Sequence, residues 1–588
     1  MMKNEIKQKR DSCPLDSLLW LFYNAELRYA AALEEASGIE IEAWKHICRE
    51  LKKQMNRGEI SLKPHLKFMP PAEPFPGFSR AASAVLRNRG VAGDIHRFIE
   101  APLEELKADD MEGTKDAEKL IKRALSKKVP ITIYGDYDAD GITGTSLAVA
   151  ALRKIGAAVD YYINKRSAGY AVSEEGIREI ASRGTPRLLI TVDNGVSSPE
   201  AIKLAKKLRM GVIVTDHHKI HDNPEPHVLV HPCCHHTPLA GVGVIFKVIH
   251  CLYKSLGRDD AFDFLDLVAV GTIADLVPLI GENRILVKNG LKLLNRKISA
   301  PVRAIAEALR IGHFNSQAIA YQVAPLLNAL SRISGTAEQA VEFWLTQDYT
   351  EAISTVGYLK KLNDRRKEMV EEQAEDAERL VDTSEKILIV KSDFSEGIIG
   401  ILAGRLKSKY GRPAIVLTEN GEYYKGSCRS VPGIDIEEVL RQCQGVENFG
   451  GHSMAAGLTV RKENFELFYR SVLSFAEKIE LRPPEIMIDA ILKKEEINLA
   501  LVRELDEMEP FGEGFPLPVF IYECSPVEKI EAINGKHLKI IDEPGAVVWN
   551  SYQKYLEQKP RGMKLLGLPV FDSYSGVVQF IADDFIPA

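Results

Sequence analysis

Three short apolar segments of this 588-residue sequence are each followed by an aspartate, and this repeated arrangement constrains the fold more than any other feature. The segments are ITIY (131–134), RLLITV (187–192) and VIVT (212–215), and the aspartates are Asp136, Asp193 and Asp216. Short apolar strands that alternate with helical patterns indicate a parallel sheet covered on both faces. Because the carboxyl ends of parallel strands lie at one edge of a sheet, we expect the three aspartates to meet there.

Other elements of the same region follow from local patterns. VDYYI (159–163) and HVLV (227–230) are predicted strands. An Ala- and Leu-rich helix is predicted to run from the first aspartates to Gly156, and another helix to begin at Pro199 with Ser198 as its N-cap residue. The region therefore predicts an α/β domain.

Additional residues of metal-binding type lie close to the three aspartates or in an apolar context. They are Asp138 and Asp140 in DYDADG, His217 and His218 in TDHH, and Asp275 in DLVAVGTIADLVPL (266–279). A buried carboxylate without a partner is costly, which favours a ligand role for Asp275. Carboxylates and imidazoles suit Mn²⁺ or Mg²⁺, and a pair of such ions can activate water for phosphoryl displacement. The sequence therefore predicts a site for two divalent ions.

The length of the chain predicts three or four domains. The predicted parts are an N-terminal helical extension with a proline-rich linker (1–77), a catalytic α/β domain (78–345), a connecting helix (346–384), a second α/β domain (385–482) and a small C-terminal β-barrel (483–588). The connecting helix follows from the helical spacing of Ile353, Val356 and Leu359 among charged residues. After Pro483 the pattern changes to short strands and turns.

Composition excludes several other classes of protein. Eight cysteines without paired spacing do not form a disulfide framework. The formal net charge of −6 gives no global basic field, but it does not exclude a nucleic-acid partner, because basic patches are local. The apolar stretch Leu18–Phe22 is interrupted by Asn24 and Glu26 before it could span a membrane, which favours an amphipathic helix. We expect a cytoplasmic protein.

The motifs resemble those of the DHH phosphoesterase superfamily and, within it, the RecJ single-strand-specific exonucleases. Its four metal-site motifs are matched in order by YGDYDADG (134–141), TVDNG (191–195), TDHH (215–218) and GTIADLVPL (271–279). The DHH-associated domain is matched by EGIIGILAGRL (396–406), KGSCRSVPGIDI (425–436) and FGGHSMAAGL (449–458). The oligonucleotide-binding (OB) domain is matched by EPFGEGFPLPVF (509–520) and GKHLKI (535–540). The resemblance implies a two-lobed DHH core with a parallel sheet and flanking helices, a DHH-associated α/β domain joined by a long helix, and an OB-like β-barrel.

The resemblance also implies roles for individual residues. The implied metal ligands are Asp136, Asp138, Asp140, Asp193, His217 and Asp275, with Asp216 and His218 as supporting catalytic residues. The implied substrate-binding residues are Arg166, Ser427 and Arg429 at the 5′-terminal phosphate, and Arg332 and His452 near the scissile phosphate. Guanidinium groups suit phosphate oxygens because they donate two parallel hydrogen bonds.

The sequence departs from the family pattern at several positions outside the metal set. They are His231, Leu326, Ser331, Phe394, Ser395 and Cys428. These departures bear on the placement of the nucleic acid and on the rate rather than on the reaction class.

Two further motifs resemble functional sites, but their patterns favour loops or turns. In HPCCHH (231–236), adjacent ligands cannot all turn toward one ion, so we interpret the run as a loop beside the active site. GEGFPLP (512–518) lacks the strand–turn–helix context of a phosphate loop, which favours a turn that leads into the barrel.

The resemblance implies a metal-dependent exonuclease that degrades single-stranded DNA from the 5′ end to 5′-mononucleotides in DNA repair and recombination. It implies a monomer, with a single-strand-binding protein or a helicase as partner. One alternative is a DHH-family nanoRNase or cyclic-dinucleotide phosphodiesterase, against which the strand-rich C-terminal segment argues. The other is a non-catalytic DNA-binding scaffold similar to Cdc45, against which the complete set of metal-ligand residues argues.

Overall fold

The computed structural model describes residues 65–588 except 70–72, 167, 168, 170, 221–223, 484, 525–528, 573 and 574. The predicted N-terminal helices, including Leu18–Phe22, and part of the proline-rich linker lie outside the described residues. The chain divides into two compact units. The larger unit contains Lys67–Arg366 and Met487–Ala588, and the smaller unit contains Lys367–Ile486. Each helix of the described residues is too short or too polar to cross a membrane.

A five-stranded, fully parallel sheet lies at the centre of the α/β part of the larger unit. In chain order the first strands are β1 His65–Phe68, β2 Ile131–Gly135, β3 Val159–Ile163, β4 Arg187–Val192, β5 Met210–Thr215 and β6 Val228–Val230. The sheet has the order β3-β2-β4-β5-β6. β2 and β4 are buried along their whole length, as expected for a parallel sheet with both faces covered. The predicted α/β fold is confirmed.

The helices of residues 80–345 cover this sheet or, for the first two, pack with the C-terminal sheet described below. They are Arg80–Asn88, Ile95–Glu100, Thr114–Ser126, Ala139–Lys154, Glu174–Ser182, Pro199–Lys207, Gly241–Ser255, Leu265–Ala274, Gly281–Arg296, Ala300–Ala308, Ser316–Ala318, Ala324–Ser334 and Glu338–Leu345. Pro199 begins its helix as predicted, but the hydroxyl of Ser198 accepts a hydrogen bond from the N–H of Val172 at 2.8 Å instead of capping the helix.

The smaller unit contains a second α/β layer. Its strands are β7 Leu388–Lys391, β8 Ala414–Asn420, β9 Tyr423–Arg429, β10 Val446–His452 and β11 Ala455–Arg461, in the order β10-β11-β9-β8-β7. Its helices are Ile399–Tyr410, Ile436–Gln442 and Phe465–Glu477. The predicted long helix is present as Tyr349–Leu380 and is continuous across the division between the units.

The C-terminal part of the chain forms a third sheet, which belongs to the larger unit. Its strands are β13 Ala490–Leu492, β14 Phe520–Cys524, β15 Ile530–Ile533, β16 His537–Ile540, β17 Ala546–Val548, β18 Met563–Asp572 and β19 Val577–Pro587, preceded by β12 Glu485–Ile488. The seven strands have the order β13-β14-β18-β19-β17-β16-β15. The helices Leu499–Glu507 and Tyr552–Gln558 accompany them.

The N-terminal end of the described residues shares a core with this C-terminal sheet. Buried side chains of the first two helices, such as Val85 and Ile99, pack in one cluster with Phe520 and Phe580. The sequence analysis placed residues 78–345 in the catalytic domain. Sequence patterns alone could not show that the start of this range packs with the C-terminal sheet. Residues 81–99 therefore form part of the core of the C-terminal sheet.

A buried ion pair fixes this connection. The Arg89 guanidinium donates to both oxygens of Asp489 at 2.8 and 3.1 Å, and the two side chains are only 3% and 1% exposed. The second Asp489 oxygen also accepts a hydrogen bond from the N–H of Val519. An ion pair with this degree of burial depends on both partners.

Asp489→Ala is expected to destabilise the protein by about 3–5 kcal/mol, because it leaves the Arg89 guanidinium buried without its counter-charge. The free energy of unfolding in urea measures the effect. The matched control is Glu174→Ala, which removes the exposed partner of Arg178 and is expected to cost about 0–1 kcal/mol. Equal losses in the two variants would contradict this account of the interface.

Candidate metal centre

The strand ends hold three aspartates at the same edge of the parallel sheet. The N–H of Asp136 donates to Val192 O at 3.3 Å, that of Asp193 to Thr215 O at 3.0 Å, and that of Asp216 to Val230 O at 3.3 Å. Each bond continues the strand ladder by one residue, so the sheet itself sets the position of the three carboxylates. All three residues are at most 3% exposed. The edge thus gathers three carboxylates that are almost fully removed from water.

Seven of the predicted residues form overlapping sets whose ligand atoms lie within 4.8 Å of one another. The sets are Asp136, Asp138 and Asp193; Asp140, His217 and Asp275; and Asp193, His217 and His218. Because Asp193 and His217 each belong to two sets, the groups form one continuous centre. The structure therefore brings together all the residues that the sequence analysis predicted as metal ligands.

Several oxygens of this centre face one another without donors. Among the described residues, Asp136 Oδ1, Asp193 Oδ1 and Asp275 Oδ2 are buried and accept no hydrogen bond. His217 Nε2 lies 3.2 Å from Asp193 Oδ1 and 3.5 Å from Asp275 Oδ2. Buried polar atoms in proteins almost always have partners, so converging carboxylate oxygens of this kind fit a cation. Oxygen ligands with one imidazole suit Mn²⁺ and Mg²⁺.

The pKa values of these acids reflect the same crowding. Burial and then the charge of Asp138 raise the pKa of Asp136 well above its ordinary value. Burial and then the charge of Asp140 do the same for the pKa values of Asp193 and Asp275. Burial and mutual repulsion therefore favour the protonated forms of these acids.

Two other acids also organise the local backbone. The Asp138 carboxylate caps the helix Ala139–Lys154 by accepting hydrogen bonds from the N–H groups of Asp140 and Gly141 at 3.0 and 3.1 Å. The two oxygens of Asp140 accept from Gly241 N and Val242 N at 2.7 and 2.9 Å, at the start of the helix Gly241–Ser255. Burial and the charge of Asp138 raise the pKa of Asp140 to about 7. Asp140 therefore connects the first metal motif to the helix that follows the third.

Asp216 has a different environment, since donors surround its oxygens. Oδ1 accepts from His217 N and His218 N at 2.7 and 3.1 Å and contacts His218 Nδ1 at 2.8 Å, and Oδ2 accepts from Val196 N at 3.0 Å. Although burial opposes ionisation, the hydrogen bond and charge of His218 hold the pKa of Asp216 at about 2. Burial likewise opposes the charge on His218, yet Asp216 raises its pKa to about 9. Asp216 is thus arranged to orient a charged His218.

The sequence analysis missed some features that shape this centre. A Cβ atom at Gly241 would lie 2.5 Å from Asp193 Cβ, and one at Gly271 would lie 2.8 Å from Asp140 Oδ1, so only glycine fits at either position. Asp193 adopts a φ of 62°, a left-handed conformation that is uncommon outside glycine and is often found at functional sites. The glycines are visible in LAGVG and VGTIAD, but their contacts depend on the fold.

The helix Ala324–Ser334 contributes another residue that was missed. Asn328 Oδ1 accepts a hydrogen bond from Ala139 N at 2.8 Å, in the first turn of the helix Ala139–Lys154. The same helix carries Arg332. The departures at Leu326 and Ser331 are 0% and 1% exposed, so these side chains lie in the core.

Arg166 lies in the larger unit, close to the first metal motif. Its N–H donates to Gly335 O at 3.1 Å, and its guanidinium carbon lies 5.2 Å from the ring centre of Tyr137. The neighbouring positions Ser167, Ala168 and Tyr170 are outside the described residues.

The remaining predicted substrate residues lie on one sheet of the smaller unit. In the strand register Ala455 is opposite both Arg429 and His452, so these two residues are close to the same end of the sheet. Arg429 Nη1 donates to Ser427 Oγ at 3.2 Å, and a Cβ atom at Gly400 would lie 3.0 Å from both side chains. Cys428 is fully buried on the opposite face, where burial raises the pKa of its thiol to about 12. This departure therefore points away from Ser427 and Arg429.

Comparison with known proteins places the chain in a family. The profile of the DHH family, N-terminal domain, matches residues 130–272, that of the DHHA1 domain residues 384–478, and that of the RecJ OB domain residues 488–584. The single-stranded-DNA-specific exonuclease RecJ of Haemophilus influenzae is 33% identical, and the alignment covers 75% of this chain and 83% of that protein. The chain belongs to the RecJ family.

Two other RecJ proteins support this assignment. The RecJ of Bacillus subtilis is 36% identical over an alignment that covers 73% of this chain. The chain spans only 57% of the length of that relative. The crystal structure of RecJ in complex with Mn²⁺ from Thermus thermophilus has a TM-score of 0.79 and 28% identity, covering 90% of this chain and 80% of that chain. The DHH, DHH-associated and OB parts implied by the sequence resemblance are therefore confirmed.

Mn²⁺ is expected to raise the thermal unfolding temperature of the protein, because it would replace protons among the converging oxygens. At a free Mn²⁺ concentration of about 100 times Kd, binding of one ion adds about 2.7 kcal/mol to the free energy of unfolding. Asp193→Asn keeps the size of the side chain and tolerates the left-handed backbone, but it removes the charge, so the rise should be smaller. Differential scanning fluorimetry with and without Mn²⁺ checks this. The control is the exposed Asp116→Asn, and an equal rise in all three proteins would contradict the assigned site.

Proposed function

We propose that this chain is a metal-dependent exonuclease that hydrolyses single-stranded DNA from the 5′ end and releases 5′-mononucleotides. The observation that carries the proposal is the set of converging carboxylate oxygens at the sheet edge, in a chain of the RecJ family. The relatives named above are single-stranded-DNA-specific exonucleases, and the similar crystal structure contains Mn²⁺. A role in DNA repair and recombination follows from this proposed activity.

The residues proposed to hold two Mn²⁺ or Mg²⁺ ions are Asp136, Asp138, Asp140, Asp193, His217 and Asp275. When bound, such ions supply Lewis-acid activation of water and stabilise the oxygens of the phosphoryl group. The chain's own contribution is to fix the carboxylates on the ends of β2 and β4, where they need no rearrangement during the reaction. Asp216 keeps His218 charged and oriented, so that the imidazolium can donate to a phosphate oxygen.

Contacts with the 5′-terminal phosphate are proposed for Ser427 and Arg429. Their side chains lie beside Gly400, in the first turn of the helix Ile399–Tyr410, where a Cβ atom would come within 3.0 Å of both. Guanidinium, hydroxyl and the N–H groups of a helix N-terminus all favour phosphate. Phosphate contacts are likewise proposed for Arg166 and Arg332 of the larger unit and for His452 of the smaller unit.

Strand binding by the C-terminal sheet has support of its own. Trp549 is 41% exposed at the end of β17, and its ring lies 4.7 Å from that of His537. Exposed aromatic side chains on such domains stack on bases of single strands. The proposal further includes a cytoplasmic monomer that works with a single-strand-binding protein or a helicase.

The two alternatives are less well supported. The match of the RecJ OB domain at residues 488–584 favours an exonuclease over a nanoRNase or cyclic-dinucleotide phosphodiesterase built from the first two domains. The convergence of seven acids and histidines, six of them proposed metal ligands, favours an enzyme over a DNA-binding scaffold. Digestion of 5′-labelled single strands, duplexes and very short oligonucleotides with Mn²⁺ or Mg²⁺ separates all three, and preferential cleavage of the short oligonucleotides would favour the first alternative.

Asp138→Asn is expected to abolish hydrolysis while the fold remains intact. Asparagine is as good an N-cap as aspartate, so the cap of the helix Ala139–Lys154 is preserved and only the charge is lost. Single-strand digestion and circular dichroism check the two parts of the prediction. Asp116→Asn serves as the matched surface control, and full turnover by Asp138→Asn would remove Asp138 from the metal set.

Arg429→Ala is expected to narrow the advantage of 5′-phosphorylated strands over 5′-hydroxyl strands. A charge-assisted contact of this type contributes about 1.5–3 kcal/mol, which corresponds to about a ten- to hundredfold effect. Rates on the two substrates measure it. Arg441→Ala removes a surface arginine of the same unit, paired with Glu437, and should keep the full preference. A parent enzyme that starts at the 3′ end, or a variant with unchanged preference, would contradict the assignment.

Trp549→Ala is expected to weaken binding of long single strands by about 1–3 kcal/mol, since one stacking surface is lost. Cleavage of very short oligonucleotides should change little. Fluorescence anisotropy with labelled strands measures the affinity, and Tyr358→Ala, which removes an exposed aromatic ring elsewhere, provides the control. Unchanged affinity in Trp549→Ala would show that this face of the sheet does not bind DNA.

A further inference from the structure

The run HPCCHH contributes to a second group of ligand-type side chains, outside the acidic centre. Single ligand atoms of Asp110, His235 and His236 lie within 4.8 Å of one another. The sequence interpretation of a plain loop rested on the two histidines being adjacent. The structure adds a carboxylate from a segment that precedes β2, so the ligands come from two parts of the chain.

A buried carboxylate orients one of the two imidazoles. His235 Nε2 lies 3.1 Å from Glu282 Oε2, and both side chains are at most 5% exposed. Both oxygens of Glu282 also accept hydrogen bonds from the Lys247 ammonium at 3.1 Å. An ionised carboxylate only accepts hydrogen bonds, so Nε2 of His235 carries the proton and Nδ1 keeps its lone pair. A histidine that donates one ring N–H to a carboxylate is the usual arrangement behind a metal ligand.

The charges of this group also suit a cation. Lys247 is fully buried and contacts Asp110 Oδ1 at 2.5 Å as well as Glu282. One ammonium and two carboxylates have a formal net charge of −1. His236 is exposed, so an ion can reach the group from solvent.

We propose that Asp110, His235 and His236 bind a zinc-class cation at a site separate from the acidic centre. One carboxylate and two imidazoles form a typical three-residue ligand set for Zn²⁺, with water in the fourth position. Nitrogen ligands distinguish this site from the oxygen-rich centre, which suits Mn²⁺ and Mg²⁺. The exposed thiols of Cys233 and Cys234 are not part of the assigned set.

The bound ion would hold the loop that supports His218. His231 Nδ1 accepts a hydrogen bond from Cys233 N at 3.0 Å, so Nε2 carries the proton and donates to His218 O at 2.8 Å. His231 thus joins the loop to the backbone of the third metal motif. The family usually has asparagine at the position of His231. This histidine therefore gives the chain its own link between the proposed zinc site and the acidic centre.

Zinc retention in excess Mn²⁺ tests the proposal. The full-length protein is stripped of metal with a chelator, loaded with Zn²⁺ and exchanged into buffer with excess Mn²⁺. Inductively coupled plasma mass spectrometry then measures the zinc that stays bound. The parent protein and the exposed control His313→Ala should retain zinc, and His236→Ala should lose it. Complete displacement of zinc by Mn²⁺ in the parent, or equal retention in His236→Ala, would overturn the site. Because the readout is bound metal, the result does not depend on the proposed nuclease activity.

Two further measurements examine the ligand set. Glu282→Gln is expected to lower the zinc affinity about 10- to 100-fold, because His235 loses the carboxylate that orients it. Co²⁺ in place of Zn²⁺ should give no thiolate-to-cobalt charge-transfer band, and Cys233→Ser with Cys234→Ser should bind zinc like the parent. A thiolate band that disappears in the double serine variant would overturn the assigned ligands.

Discussion

Repulsion among buried carboxylates is the constraint on which the catalytic part of the structure depends. Asp136 and Asp193 have no freedom to separate, because their backbones continue the hydrogen bonds of β2 and β4. The buried apolar strands supply the stability that offsets this repulsion. Burial and the neighbouring carboxylates raise the pKa values of both acids, so their ionised forms need a counter-charge. A divalent ion is therefore part of the charge balance of the fold as well as of the proposed chemistry.

The acids of the centre fall into two classes by their hydrogen bonds. Asp138, Asp140 and Asp216 accept bonds from backbone N–H groups and so hold helices, loops and His218 in place. Asp136, Asp193 and Asp275 each have an oxygen without a donor among the described residues. The first class makes the site rigid, and the second is left to neutralise an ion. The sheet edge therefore carries acids for two purposes, some to position the backbone and others to bind the ion.

Local sequence patterns were sufficient for the strands and for the meeting of the acids. VDYYI and RLLITV match β3 and β4 residue for residue, because short apolar runs between turn residues specify buried strands locally. The rule for parallel sheets then brings the strand ends together. Which oxygens have donors could not be predicted, since the donors, such as Gly241 N and Val196 N, come from distant segments. The left-handed backbone of Asp193 and the partnership of Asp110 with His235 depend on tertiary packing in the same way.

The turn GEGF (512–515) contacts the catalytic part, which its sequence alone did not indicate. Sequence alone predicted a turn before the C-terminal sheet, and Gly512 and Phe515 do form one. The turn also packs on the segment that follows Asp275: Leu279 N donates to Glu513 O at 2.7 Å, and a Cβ atom at Gly512 would lie 2.7 Å from the Leu279 side chain.

A buried arginine strengthens this contact between the C-terminal sheet and the catalytic part. Arg284 donates to Met508 O and Pro510 O, and its guanidinium lies 4.0 Å from the ring centre of Phe98 and 4.8 Å from that of Phe515. Burial lowers its pKa to about 10, so the cation is retained at neutral pH. The sheet proposed to bind the strand is thus attached directly to the segment that carries a metal ligand. Removing that sheet would disturb the metal centre together with strand binding, and only surface substitutions on the sheet can separate the two functions.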